Sequence, residues 1–342
     1  MQRILYFILP LFIGGCSNFT YYVDTINGHH ELLEKSRPID SVISGDISED
    51  LKKKLVTFQK ARLFAIQELL LPDNNSYKSY ADIGRPYATW NVIATPEYSI
   101  EPKKWCFLIV GCLNYRGYFS KQQAEAFAKQ LKTEGYDTYV AGARAYSTLG
   151  WFDDPLLNTM MFKSEASRVG ILFHELAHQK MYVEDDSSFN EAFATVIEQE
   201  GTRRWFKATG KDDELKEYIL SIKRNNEFNL LLRKTRDSLI ALYNSTVPDE
   251  IKRAKKADIF SQLKQDYQKL KKQWQGYNTY DKWMSQDLNN AHLAIAATYN
   301  EFVPVFKKLL IENKNDLKEF YNRVSDLSAM SKNERSNRIK SY

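Results

Sequence analysis

Long apolar runs are missing from this 342-residue chain, and cysteine and histidine are scarce, at three and five copies. The apolar stretch from Ile4 to Ile13 is too short to cross a ~30 Å hydrocarbon core as a helix, which excludes a membrane span there. Three cysteines cannot supply the bridges of a disulfide-framed scaffold. No basic segment interleaves with aromatics, and the formal net charge is only +5, so the footprint of a nucleic-acid surface is absent. Internal repeats and low-complexity segments are lacking too. What remains, 43% apolar and 27% charged residues, is the composition of a folded domain, and the length suits one large domain or two ordinary ones.

The start of the chain carries the first positive signal. Arg3, the run Ile4 to Ile13, and then Gly14-Gly15-Cys16-Ser17 follow the order of a signal peptide: charge, apolar core, small residues. The stretch resembles a bacterial lipoprotein signal, with Ile13 to Cys16 as the lipobox. That resemblance implies loss of residues 1–15, a diacylated Cys16 and a membrane partner reached through the lipid anchor. Ser17 in place of Asp resembles the signals of lipoproteins sent to the outer membrane, here on the periplasmic side of a bacterial envelope. An ordinary secretory signal with an incidental cysteine is the alternative. Removing the segment takes away Arg3 alone among charged side chains, so the mature charge is 48 − 1 − 43 = +4. Cys106 and Cys112 are then left for a possible disulfide. A straight strand would hold them about 20 Å apart, beyond the ~7 Å limit, so a bridge requires a turn at or before Gly111.

Residues 16–47 read as a polar tether in which His29 and His30 form a solvated pair. Ser48 reads as an N-cap, with Leu51, Leu55, Phe58, Ala65 and Leu69 at helical spacing after it and Pro72 as the stop. Trp90 to Ala94, Trp105 to Val110 and Tyr136 to Ala141 read as strands. Ser120 with Gln123 forms a capping box for a helix from Lys121 to Glu134, closed by Gly135. Leu215, Ile219 and Ile222, then Phe260, Leu263, Tyr267, Leu270 and Trp274, mark two amphipathic helices separated by Pro248. The expected fold is mainly α, of α+β type: two catalytic helices, a small sheet and a long C-terminal helical hairpin. Residues 48–342 are taken as one domain, with sheet and catalytic helices in 48–200 and a helical part in 201–342.

The chemistry concentrates between Ile171 and Glu198. On a helix, residues four apart share a face, so His174 and His178 can direct imidazole nitrogens at one metal ion with Glu175 beside it. Glu191, Ala194 or Thr195, and Glu198 fall on one face of a second helix that a short loop can fold back. Glu191 is the natural third ligand. Two histidines, one carboxylate and a position left for water define a catalytic zinc site, whereas a structural site uses four protein ligands. Glu175 is the base that takes the water's proton, and one Zn2+ per chain is expected. Glu198 and Asn190 are placed in the layer that hydrogen-bonds the ligands. Tyr146, Tyr299 and His292 are the candidates for steadying the oxyanion, since each sits in a polar, Gly- or Asn-rich context; each could equally be a packing residue.

At these residues the sequence resembles the gluzincin metallopeptidases. Asn190-Glu-Ala-Phe-Ala194 is similar to the Asn-Glu-Gly-Phe-Ala segment of the membrane alanyl aminopeptidases, in which the Glu is the third zinc ligand. Trp105-Cys-Phe107, Gly111 to Phe119, Ala145 to Pro155, Phe173 to Gln179 and Asn289-Asn-Ala291 together resemble the bacterial family named putative aminopeptidase. That resemblance implies a zinc-dependent peptidase acting on peptide or protein substrates. The chain departs from the alanyl aminopeptidases in two ways: twelve residues separate His178 from Glu191, and no Gly-x-Met-Glu-Asn amine-binding segment is present. Thr195 stands where thermolysin-like enzymes place an Asp. A cell-wall peptide endopeptidase, or a zinc-containing binding or assembly-factor lipoprotein without turnover, is the alternative function.

Overall fold

The computed structural model describes residues 16–107, 111–162 and 164–342; the side chains of residues 16–19 and Tyr299 lie outside the description, as does the expected signal peptide. The segment expected as a tether is instead helical. α1 (Cys16–Glu34) buries a narrow stripe: Leu32 enters the main core, Tyr21 lies under the Arg116 guanidinium at 4.0 Å, and Gly28 passes so close to Phe119 that a Cβ would collide with the ring. Glu31 also pairs with Arg85 at 2.7 Å. His30 is solvated beside Glu34, but His29 is half-buried, which corrects the solvated pair.

β1 (Arg37–Pro38) and α2 (Ile39–Ile43) lead to α3 (Glu49–Leu69). Its first turn is closed by Ser48, which accepts a bond from the Leu51 amide at 3.2 Å, and it buries Leu55, Phe58, Ala61, Ala65 and Leu69. β2 (Ser79–Ala81) and β3 (Thr89–Pro96) follow, then β4 (Trp105–Phe107), β5 (Gly111–Leu113), β6 (Arg116–Tyr118), α4 (Lys121–Thr133) and β7 (Tyr136–Ala143). β3 is central in an antiparallel sheet of order β6-β3-β7, in register from Thr89 opposite Ala143 to Pro96 opposite Tyr136. The expected strand 105–110 is a strand over Trp105–Phe107, and its last three residues lie outside the description. Gly111 has φ +71, a conformation that suits glycine. It brings β5 back antiparallel to β4, with Cys106 opposite Cys112, and the two are joined by a disulfide.

β8 (Leu156–Leu157) adds in parallel to β2 and precedes α5 (Glu165–Lys180) and α6 (Ser187–Ala208), which pack along each other. α7 (Asp212–Tyr243) and α8 (Asp249–Gln273) form the expected hairpin about Pro248. Its own core holds Phe228, Leu239, Phe260, Leu263 and Tyr267. α9 (Asp281–Met284) and α10 (Asn290–Asn300) cross back towards β3 and α6, and α11 (Val303–Glu312), α12 (Leu317–Ser328) and α13 (Lys332–Lys340) return to the main core. There Phe306 meets Phe189 at 5.1 Å, and Phe320 stacks on Phe193 at 6.1 Å. The mainly α fold with small sheets is therefore as expected.

Candidate metal centre

α5 starts where Ser164 accepts from the Ser167 amide. It buries Val169, Leu172, Phe173, Leu176 and Ala177, so its apolar stripe fixes which way the intervening polar residues can turn. α6 starts at Asp186, which accepts from the Phe189 amide at 3.2 Å and is paired with Arg335 at 2.8 Å. Glycine sets the helix spacing. A Cβ on Gly201 would lie 2.6 Å from Leu69 and 2.8 Å from Phe173, and one on Gly170 would press on Glu198 at 3.2 Å.

Between these helices His174, His178 and Glu191 converge, each offering a ligand atom within 4.8 Å of the others. His174 Nε2 lies 3.2 Å from Glu191 Oε2 and 3.1 Å from His178 Nε2, and the third edge, from His178 Nε2 to Glu191 Oε2, is 3.8 Å. Ligand atoms ~2.0–2.1 Å from a tetrahedral zinc stand about 3.3 Å apart, and these edges bracket that spacing. Hydrogen bonding within the trio falls short of satisfying it. One ring nitrogen carries either one proton or one lone pair, yet His174 Nε2 faces both a carboxylate and a second ring nitrogen. A cation among the three atoms satisfies all of them, so the residues fit a metal.

Glu198 Oε2 stands 3.1 Å from His174 Nδ1, where an Nδ1–H donated to it leaves the Nε2 lone pair directed at the trio. Asn190 is placed differently from expectation: its side chain bonds the amide and the carbonyl of Val183, at 2.8 and 2.7 Å. It pins the loop between α5 and α6 rather than a ligand, because it lies in the first turn of α6, directly over that loop.

Burial disfavours charge on His174, but Glu191 and Glu198 outweigh it and hold the imidazole well above the usual histidine range, so a metal at Nε2 would have to displace a proton there. Burial lowers His178 to about 4, which keeps it neutral, the form in which an imidazole can bind a metal. Glu191 is opposed by burial yet stays below the ordinary carboxyl value because His174 and His178 face it. Glu175 is pushed up to about 7, mainly by burial, with His174 opposing and Glu191, Asp154 and Glu198 adding to the rise. A carboxyl with that value can both take and return a proton at neutral pH.

Of the three oxyanion candidates, the surroundings of His292 and Tyr146 are described. The Nδ1 atom of His292 accepts from the Asn289 amide at 3.2 Å in a capping box at the start of α10. Its ring is stacked on Tyr139 at 4.0 Å with Trp283 against its edge. It is thus built into a helix terminus, with its ring held between Tyr139 and Trp283. Tyr146 packs on Phe119 at 5.0 Å and reaches His29 at 5.8 Å. Burial, with Asp154 adding to it, raises its phenol to about 12. Tyr299 lies in α10, and its side chain is outside the description; its neighbour Thr298 accepts a bond from Asn114 at 3.2 Å.

Two phenols that sequence reasoning missed feel the charge of the centre's carboxylates. Tyr115, in the turn between β5 and β6, is raised far above the usual phenol value by burial and then by the negative charge of Glu191, with Glu175 a smaller contributor. Tyr77 is 2% exposed and holds the left-handed φ of 63°, while its amide donates to the Asp154 carbonyl at 2.6 Å. Burial raises its phenol, and the Glu175 and Asp154 charges raise it further. Asp154, itself raised to about 6 by burial, accepts from the Thr148 amide and hydroxyl at 2.8 and 2.9 Å. The only sequence signal for Tyr115 was its position inside the Gly111 to Phe119 segment; none pointed to Tyr77.

The chain belongs to the family described as "Putative aminopeptidase", which matches residues 20–339. Membership points to peptidase activity and peptide substrates. No curated protein and no solved structure matches the chain.

Proposed function

We propose that the protein is a zinc-dependent peptidase whose ion is held by His174, His178 and Glu191. The observation that carries this is the triangle of two imidazole nitrogens and one carboxylate oxygen at 3.1, 3.2 and 3.8 Å, with Glu175 next to His174 on the same helix. When bound, zinc supplies Lewis acidity to a water and to the scissile carbonyl. Glu175 takes the proton of the attacking water and passes it to the leaving amine, a part suited to a carboxyl near neutrality. Glu198 fixes the His174 ring. Tyr115, kept protonated by its surroundings, donates a hydrogen bond to the carbonyl oxygen as negative charge develops there. Glu175 argues for turnover over mere metal storage, since it is no ligand and a structural site has no use for it.

We also propose that Cys16 carries an acyl anchor and that the enzyme works on the periplasmic side of a bacterial outer membrane. Among the described residues no helix is long and apolar enough to cross a membrane. Two measurements test the enzyme. Glu175→Gln should retain zinc while peptide turnover falls about 10²–10⁴-fold; unchanged turnover would exclude the mechanism. Peptides with free and acetylated amino termini separate the specificities: equal cleavage of both excludes an aminopeptidase and favours an endopeptidase.

A further inference from the structure

Tyr22, Val23 and Ile26 stand 41%, 38% and 66% exposed on α1, and Trp151 and Phe152 are 71% and 53% exposed in the loop before β8. The remaining exposed large hydrophobics among the described residues are scattered over α3 and the residue after it, α7, α8 and α11. The helix group and the loop group are joined at His29 and Phe152. Tyr22, Ile26 and His29 fall at i, i+4 and i+7, one face of the helix, and the His29 ring meets Phe152 at 4.7 Å. The opposite face of α1 is already committed: Tyr21 packs on Tyr118 at 5.4 Å, Gly28 lies against Phe119, and Leu32 is in the core. Tyr22, Val23 and Ile26 belong to none of the apolar cores.

We infer that this face docks on a lipid bilayer, lying in the interface of the membrane that Cys16 enters; the inference rests in part on the anchored reading of Cys16. α1 runs unbroken from Cys16, and six residues at ~1.5 Å each put Tyr22 about 9 Å along it. An acyl chain on Cys16 thus holds the patch at the surface it suits. Trp and Tyr with aliphatic neighbours are the side chains that favour a membrane interface. α1 contains no Lys or Arg, so the attraction is apolar and differs from the salt-sensitive docking of a polybasic segment.

The test uses the full mature chain with Cys16→Ser, which cannot be acylated, and vesicles of phosphatidylethanolamine with phosphatidylglycerol. The protein should sediment with them, equally well with vesicles of phosphatidylcholine alone and in high salt. Adding Ile26→Asp and Trp151→Asp should lower the bound fraction about tenfold or more, with melting temperature and peptide turnover unchanged. Leu230→Asp, an exposed apolar residue on α7, should bind as before. Absence of sedimentation, or equal binding by the double variant, overturns the proposal. So does a dimer of the Cys16→Ser chain, seen by light scattering without lipid and broken by Ile26→Asp, since a second copy would then cover the face. Mass spectrometry of Cys16 in the native chain tests the anchor separately.

Discussion

His174 shows how one side chain can define a site. Its two nitrogens are committed in opposite directions, Nδ1 to Glu198 and Nε2 to Glu191 and His178, so ring orientation and proton position are set together. Glu198→Gln keeps the shape but weakens the bond to Nδ1–H, and zinc affinity should fall about 10–100-fold in a chelator competition. Tyr115 acts through a different property. Its phenol stays protonated because ionising beside Glu191 and Glu175 is costly. Tyr115→Phe should lower kcat about 10²–10³-fold while zinc content holds. A fall in zinc content to match would mean that Tyr115 supports the ligands instead of the reacting carbonyl.

Helix termini carry much of the specificity at the next scale up. Asp186 starts α6 and meets Arg335 from α13, with both side chains below a tenth exposed, so the helix that carries Glu191 is fixed from the C-terminal end of the chain. α10 begins in the His292 capping box. Burial, with Lys132 and Lys264 adding, lowers His292 to about 4. A base depressed in the folded state stabilises the fold above its ordinary value of ~6.5, and that contribution is lost as pH falls from ~6.5 towards ~4. The loss is on the order of 2–4 kcal/mol. In zinc-loaded protein, the drop in melting temperature between about pH 7 and about pH 5 should shrink in His292→Gln; an unchanged drop would place the sensitivity elsewhere. The elements read correctly from sequence are those whose local signals agree: Ser48 and Ser120 caps, the periodic faces of α3, α4, α7 and α8, and the His-Glu-x-x-His turn of α5. α1 was missed because its buried stripe is narrow and includes a glycine, leaving little periodic signal. β1, β2, β6 and β8 are two or three residues long, too short for alternation to show. Tyr77 and Tyr115 come under the influence of the centre's carboxylates only through tertiary packing.

In the whole molecule, segments distant in sequence enclose one centre. The disulfide-joined hairpin of β4 and β5 leans on the loop between α5 and α6, where the Cys112 amide bonds Asp185, and Lys332 of α13 bonds the Asp185 carbonyl from the other end of the chain. The family match from residue 20 to 339 likewise spans α1 through α13, so α1 belongs to the matched fold. A centre held by this much of the chain should bind metal as a property of the folded protein. The most direct measurement is the zinc content of the full chain purified without chelators, beside His174→Ala and Glu191→Gln prepared the same way. A zinc centre on these residues predicts about one zinc per wild-type chain and near-complete loss in both variants; wild-type protein without zinc, or variants that hold as much as wild type, would contradict it.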